Sequence, residues 1–151
     1  MAILIVALII TSISVYGVIK LKRFYFLLGY FLFSLLAITS LMPTYNEDPM
    51  LAMTSLGLFI VLAIISFPAR KNISDYNINS EAVPLVKSFM IRTILSLTTV
   101  NVIAIFLVKL DTNLPEGMTE DMKIYPMIMH AVLALLPLIV LYKMSRMKMS
   151  E

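Results

Sequence analysis

The stretch AILIVALIITSISVYGVI (residues 2–19), followed at once by Lys20-Leu21-Lys22-Arg23, decides how this chain is read. It is free of charge over a length close to the roughly 20 residues that a helix needs to cross a hydrocarbon core about 30 Å thick. The positive cluster comes after the run, and no small-x-small cleavage pattern closes it. The stretch therefore reads as a retained helix and not as a secretory signal.

Working outward, residues 24–46 and 49–69 also contain no Lys, Arg, Asp or Glu. Of the 151 residues 60% are hydrophobic and only 14% are charged, with a mean hydropathy of +0.95. A water-soluble fold of this size cannot bury that much apolar surface, so the chain reads as an integral membrane protein whose solvent is lipid. Inside lipid each backbone amide must be satisfied within its own segment, which leaves helices as the spanning form for runs of this length.

Five segments qualify, running approximately from Ala2 to Ile19, Phe24 to Met42, Met50 to Phe67, Ser88 to Val108 and Tyr125 to Tyr142. The expected fold is all-α, a polytopic five-helix bundle forming a single transmembrane domain over residues 1–151. The breaks carry turn residues, among them Pro43, Pro49, Pro68, Pro115 and Gly117. Ser80-Glu81 resembles a helix start, so the fourth helix is expected to begin several residues before Ser88. Pro49-Met-Leu-Ala-Met53 and Pro126-Met-Ile-Met-His130 form a weak internal echo of the kind transporters show, although apolar sequence aligns easily with itself.

Counting cations on alternate sides gives the orientation, since Lys and Arg are retained in the cytoplasm. Lys20, Lys22, Arg23, Arg70, Lys71, Lys87, Arg92, Lys143, Arg146 and Lys148 share one side, against Lys109 and Lys123 on the other. The opposite side holds Glu47, Asp48, Asp111, Glu116, Glu120 and Asp121. This places the amino terminus outside and the carboxyl terminus in the cytoplasm, in the cell membrane. Tyr16, Tyr25 and Tyr142 fall at the inner interface and Tyr45 and Tyr125 at the outer one, where an amphipathic ring is favoured. Asn72-Ile73-Ser74 fits the glycosylation pattern but lies on the side read as cytoplasmic.

The chain has no cysteine, which removes disulfides, thiolate metal sites and cysteine nucleophiles. A formal charge of +3 is spread beside apolar spans without a basic domain, so nucleic acid is not an expected partner. Every Asp and Glu lies in a loop or tail, against the intramembrane carboxylate of a proton-coupled carrier. The single histidine excludes a bis-histidine haem within one chain. No phosphate loop, nucleophile elbow or zinc-protease helix is present, and catalysis by this chain alone is not expected.

Ionisable and amide groups inside the spans are the remaining candidates. Arg92 lies about one turn inside the fourth helix, where its side chain can snorkel to the headgroups. Helical spacing puts Ser88, Arg92, Ser96 and Thr99 on one stripe, which is expected to face protein. His130 sits about 8 Å below the outer end of the fifth helix and Asn101 about 10 Å below that of the fourth, at 1.5 Å per residue. The two helices are joined by a short loop, so the amide and the imidazole are expected to meet. Pro137, seven residues beyond His130, frees the carbonyl of Leu133 and should bend the helix. A packing hydrogen bond beside a kink is the simpler reading, and a ligand or proton site the sharper one.

Twelve methionines are unusual, and Met42, Met50, Met53, Met118, Met122, Met127 and Met129 lie towards the outer half. With His130 they form a soft donor set suited to Cu(I), though methionine is also a flexible packing residue. No other cofactor is expected. The favoured function is a small accessory or assembly subunit of a larger membrane complex, its contacts with other membrane subunits or with a second copy made through Gly17, Gly29, Gly57 and the Ser/Thr positions. The alternative is a small transporter or channel with a polar site near His130 and Asn101, with Cu(I) as a candidate cargo.

Overall fold

The computed structural model describes residues 2–41, 45, 48–68, 80–111 and 119–146. Five α-helices follow one another: α1 (Ala2–Ile19), α2 (Arg23–Ser40), α3 (Pro49–Ile65), α4 (Val83–Leu110) and α5 (Ile124–Arg146). Short 3₁₀ turns, Ser80–Ala82 and Glu120–Lys123, lead into α4 and α5, and no strand occurs among the described residues.

The helix ends differ from the apolar runs for local reasons. α3 starts one residue early, because Asp48 accepts a hydrogen bond from Leu51 N at 3.0 Å and Pro49 occupies the first turn, where its missing N–H is no loss. It stops at Ile65 and not Phe67, with the Ser66 hydroxyl folded back on Leu62 O at 2.6 Å. α4 begins at Val83, five residues before Ser88, again with a proline in its first turn. At 28 residues it extends to about 42 Å, longer than a hydrocarbon core. Apolar runs report where lipid is; the backbone keeps its hydrogen bonds beyond that limit.

Chain neighbours pack side by side, α1 on α2, α2 on α3, α3 on α4 and α4 on α5, and α5 returns to α1. The five helices thus form a ring in chain order, with successive members antiparallel. Lys20, Lys22, Arg23, Lys87 and Lys143 gather at one end, hereafter the basic end, and Asp48, Asp111, Glu120 and Asp121 at the other. The centre is filled by Tyr30, Leu62, Leu97 and Leu133, with Phe26, Phe33 and Phe59 around them.

Outside, the chain is as apolar as within. Ile5, Leu8, Ile64, Phe67 and Phe106 are all more than half exposed. Arg23–Ser40, Val83–Leu110 and Glu120–Met144 are long and apolar enough to cross a membrane, while no more than 33% of each such window is buried in the chain. α1 and α3 add the slightly shorter apolar helices Ile3–Ile19 and Pro49–Ile65. A bundle whose outer face is this apolar needs lipid or protein around it, not water.

The tightest packing joins α1 to α2. The chain reverses through Leu21, whose φ of 52° is left-handed, while Lys22 N bonds Gly17 O at 2.9 Å in the pattern that closes many helices. A Cβ on Gly17 would fall on the backbone of Phe26, and one on Gly29 would fall on Ser14 Oγ and 2.8 Å from Ser14 N. Ser14 in turn donates to Phe26 O at 3.1 Å. Gly17 and Gly29, expected as contacts for a partner, are therefore used up inside the chain. Gly57 differs: it is exposed, and nothing lies within 4 Å of its Cβ position.

Gly29→Ala is expected to lower the unfolding free energy in mild detergent by about 1–3 kcal/mol, as overpacking does, while Gly57→Ala leaves it unchanged or slightly raised. Equal effects in the two variants, measured by reversible denaturation, would contradict this assignment of the glycines.

Candidate functional site: a buried polar column at the α5 kink

The proline inside α5 sets the chemistry of the ring's centre. Pro137 has no N–H to offer the carbonyl of Leu133, and both residues are fully buried. In an apolar interior an unmatched carbonyl is expensive, so a donor has to come from another helix. Tyr30 of α2, itself fully buried, supplies it: its hydroxyl donates to Leu133 O. The next carbonyl, Ala134 O, receives the hydroxyl of Thr98 from α4 at 3.1 Å. The kink is thus clasped from two sides.

One turn towards the acidic end, His130 Nδ1 and Asn101 Oδ1 are 3.0 Å apart. Asn101 Nδ2 donates to Leu97 O at 2.8 Å, which leaves Oδ1 as the acceptor and makes Nδ1 the protonated nitrogen of the imidazole. Asn101 is wholly buried and His130 is 3% exposed. The imidazole also meets Phe33 of α2 edge to face at 5.1 Å and lies tilted beside Phe59 of α3 at 5.8 Å. Four helices thus converge on this column. Among the described residues no buried side-chain nitrogen or oxygen lacks a hydrogen-bond partner.

The other candidates are dispersed. Arg92 and Thr99 are exposed and Ser88 and Ser96 half-buried, so the stripe expected to face protein points away from this chain's own core. The residues of α4 that do face inward, Leu97, Thr98 and Asn101, lie one face around. Met129 is buried, Met122 and Met127 are half-buried, and Met50 and Met53 are exposed. Met42 and Met118 lie outside the described residues. Among the described residues no group of three or more His, Asp or Glu side chains is placed to hold a metal ion. Tyr16, Tyr25, Tyr45, Tyr125 and Tyr142 are exposed, and the rings of Tyr16 and Tyr25 meet edge to face at 5.4 Å.

Tyr30 and Thr98 are the members of the column that sequence reasoning did not single out. A signal existed: Pro137 announces a carbonyl in need of a donor, and Tyr30 sits mid-run, away from the interfaces where tyrosine is usual. Which of the several hydroxyls meets that carbonyl depends on how the helices pack.

No protein-family model matches the chain, and no curated protein or solved structure resembles it at a significant level.

Tyr30→Phe should destabilise the bundle by about 1–3 kcal/mol, since it strands a buried carbonyl. In a Pro137→Ala background, where an N–H returns to residue 137, the same change should lose most of that effect. A double-mutant cycle showing strictly additive losses would argue that the tyrosine and the kink are uncoupled. For the second pair, Asn101→Leu alone is expected to cost more than Asn101→Leu combined with His130→Phe, because the single change leaves an imidazole without its acceptor. Unfolding of both variants in the same detergent gives the comparison.

Proposed function

We propose that this chain is a small accessory or assembly subunit of a larger membrane protein complex, without catalytic chemistry of its own. The observation that carries the reading is the outward direction of the α4 stripe. Arg92 and Thr99 lie on the exposed side, continued by the half-buried Ser88 and Ser96, among the exposed apolar side chains of Phe89, Leu95, Val102 and Phe106. Polar side chains within a span ordinarily face protein. Here the chain's own helices do not cover them, so a helix of another subunit is what the stripe fits. Arg92 alone would serve as an interfacial anchor by snorkelling; the continuation through Ser96 to Thr99, about two turns deeper, adds small side chains on which a neighbouring helix can pack closely, the Thr99 hydroxyl being satisfied by Leu95 O at 3.0 Å.

The polar column supports the same reading from the inside. Its hydrogen bonds are closed among Tyr30, Thr98, Asn101, His130 and the α4 and α5 backbones, which suits a rigid scaffold. In the bilayer the basic end faces the cytoplasm, the amino terminus lies outside and the carboxyl terminus inside, in accord with ten of the twelve cations on one side.

A second reading, a small transporter or channel, draws on the His130–Asn101 contact beside the Pro137 kink. Met129, buried next to His130 in sequence, would then provide a soft donor for Cu(I). Flux into liposomes that disappears in His130→Ala would favour it over the accessory role.

Purified in mild detergent from its native membrane, the chain should run in a particle larger than itself, with other membrane subunits attached. Arg92→Leu combined with Thr99→Leu should release it as a single chain of unchanged helicity. A wild-type chain that always runs alone would remove the accessory reading.

A further inference from the structure

At the basic end the described residues leave an opening between the helices. A cavity of about 670 Å³ opens there, with all five helices contributing: Val18 from α1, Phe26 from α2, Ile65 from α3, Leu97 from α4 and Val140 from α5 stand in its wall. The volume lies within the range of roughly 300–1,000 Å³ found for small-molecule sites. Its lining is almost entirely apolar, with Arg23 as the charged side chain in the wall.

The surroundings of the mouth share that sign. Lys22 and Lys87 are exposed and adjoin the wall residues Arg23 and Val86 in sequence, and Lys143 donates to the carbonyl of Val18, one of the wall residues, at 3.2 Å. The described carboxylate at this end is Glu81. A deep apolar wall with a guanidinium in it and ammonium groups nearby is complementary to an amphiphile that carries negative charge at one end. Arginine suits a phosphate in particular, because its planar fork presents several N–H donors to the oxygens at once. Basic recesses between membrane helices on the cytoplasmic side are a recurrent form of anionic headgroup recognition.

We infer that this cavity is a binding site for one anionic phospholipid, an acyl chain lying between the five helices and the phosphate at Arg23. The site borders the outward face of α4, where Phe89 belongs to both, but uses none of Ser88, Arg92, Ser96 or Thr99 and does not depend on the accessory role. The acyl chain extends the core formed by Val18, Phe26 and Leu97 into the opening, and the headgroup draws the α1–α2 turn towards the start of α4. Occupancy would join Leu21 and Arg23 of the α1–α2 turn to Leu85 and Phe89 of α4 through the lipid, beside the links that α3 and α5 already make.

The test uses the full chain delipidated in micelles and titrated with phosphatidylglycerol or, as the neutral control, phosphatidylcholine, with bound lipid counted by native mass spectrometry. A single phosphatidylglycerol per chain should bind in preference to phosphatidylcholine. Arg23→Gln should weaken phosphatidylglycerol about tenfold, the loss of a charge-assisted contact, and leave phosphatidylcholine unaffected. Thr93→Trp and, independently, Met90→Trp fill the cavity from α4 and should abolish the bound lipid; helicity and elution volume establish that each variant is folded. Equal affinity for the two lipids would overturn the proposal, as would tryptophan variants that still bind phosphatidylglycerol like the wild type. A wild-type chain that takes up no lipid, its cavity filled by detergent or by the connection between α3 and α4, would overturn it too.

Discussion

A single buried carbonyl organises the centre of this protein. Proline at position 137 removes the N–H that Leu133 O would otherwise receive, in a place where no water reaches. The vacancy has to be met from another helix, and a hydrogen bond between helices has a direction and a register that apolar contact lacks. Tyr30 fixes α2 against α5, and Thr98 on the neighbouring carbonyl fixes α4 against it. With those two registers set, Asn101 and His130 are brought to 3.0 Å and the rings of Phe33 and Phe59 close around the imidazole.

This division of labour follows from the solvent. Lipid is as apolar as leucine, so burying side chains between helices gains little over leaving them in the bilayer. Close approach and polar satisfaction are what remain to define the fold. The α1–α2 pair uses the first, through Gly17 and Gly29 and the bond from Ser14 to Phe26 O. The α2–α5–α4 column uses the second. The ring then closes because short links make chain neighbours into spatial neighbours, and α5 completes it against α1.

The outer surface is apolar but not uniform. An apolar exterior is required by lipid and says nothing specific. The stripe from Ser88 to Thr99 is another matter, because it places an arginine and a hydroxyl on a face that the chain's other helices do not cover. The cavity at the basic end is a second departure, an apolar opening walled by residues of all five helices. These two features are the ones on which the proposed roles rest.

From residues alone came the helical class, the number of helices, the basic end and the pairing of Asn101 with His130 as an expectation. These rest on local quantities: length of apolar runs, spacing along a helix, charge beside each run. The direction in which α4 faces did not follow, since Ser88–Arg92–Ser96–Thr99 and Leu97–Thr98–Asn101 are both regular stripes and only packing selects the one that turns inward. The same holds for the glycines, where identical residues serve a tight contact at 17 and 29 and an open surface at 57. Sequence settles what each segment requires of its surroundings, because solvation and backbone hydrogen bonding act within a segment. Which neighbour meets the requirement is decided by the tertiary structure, because it depends on rotations and registers of whole helices that no single segment contains.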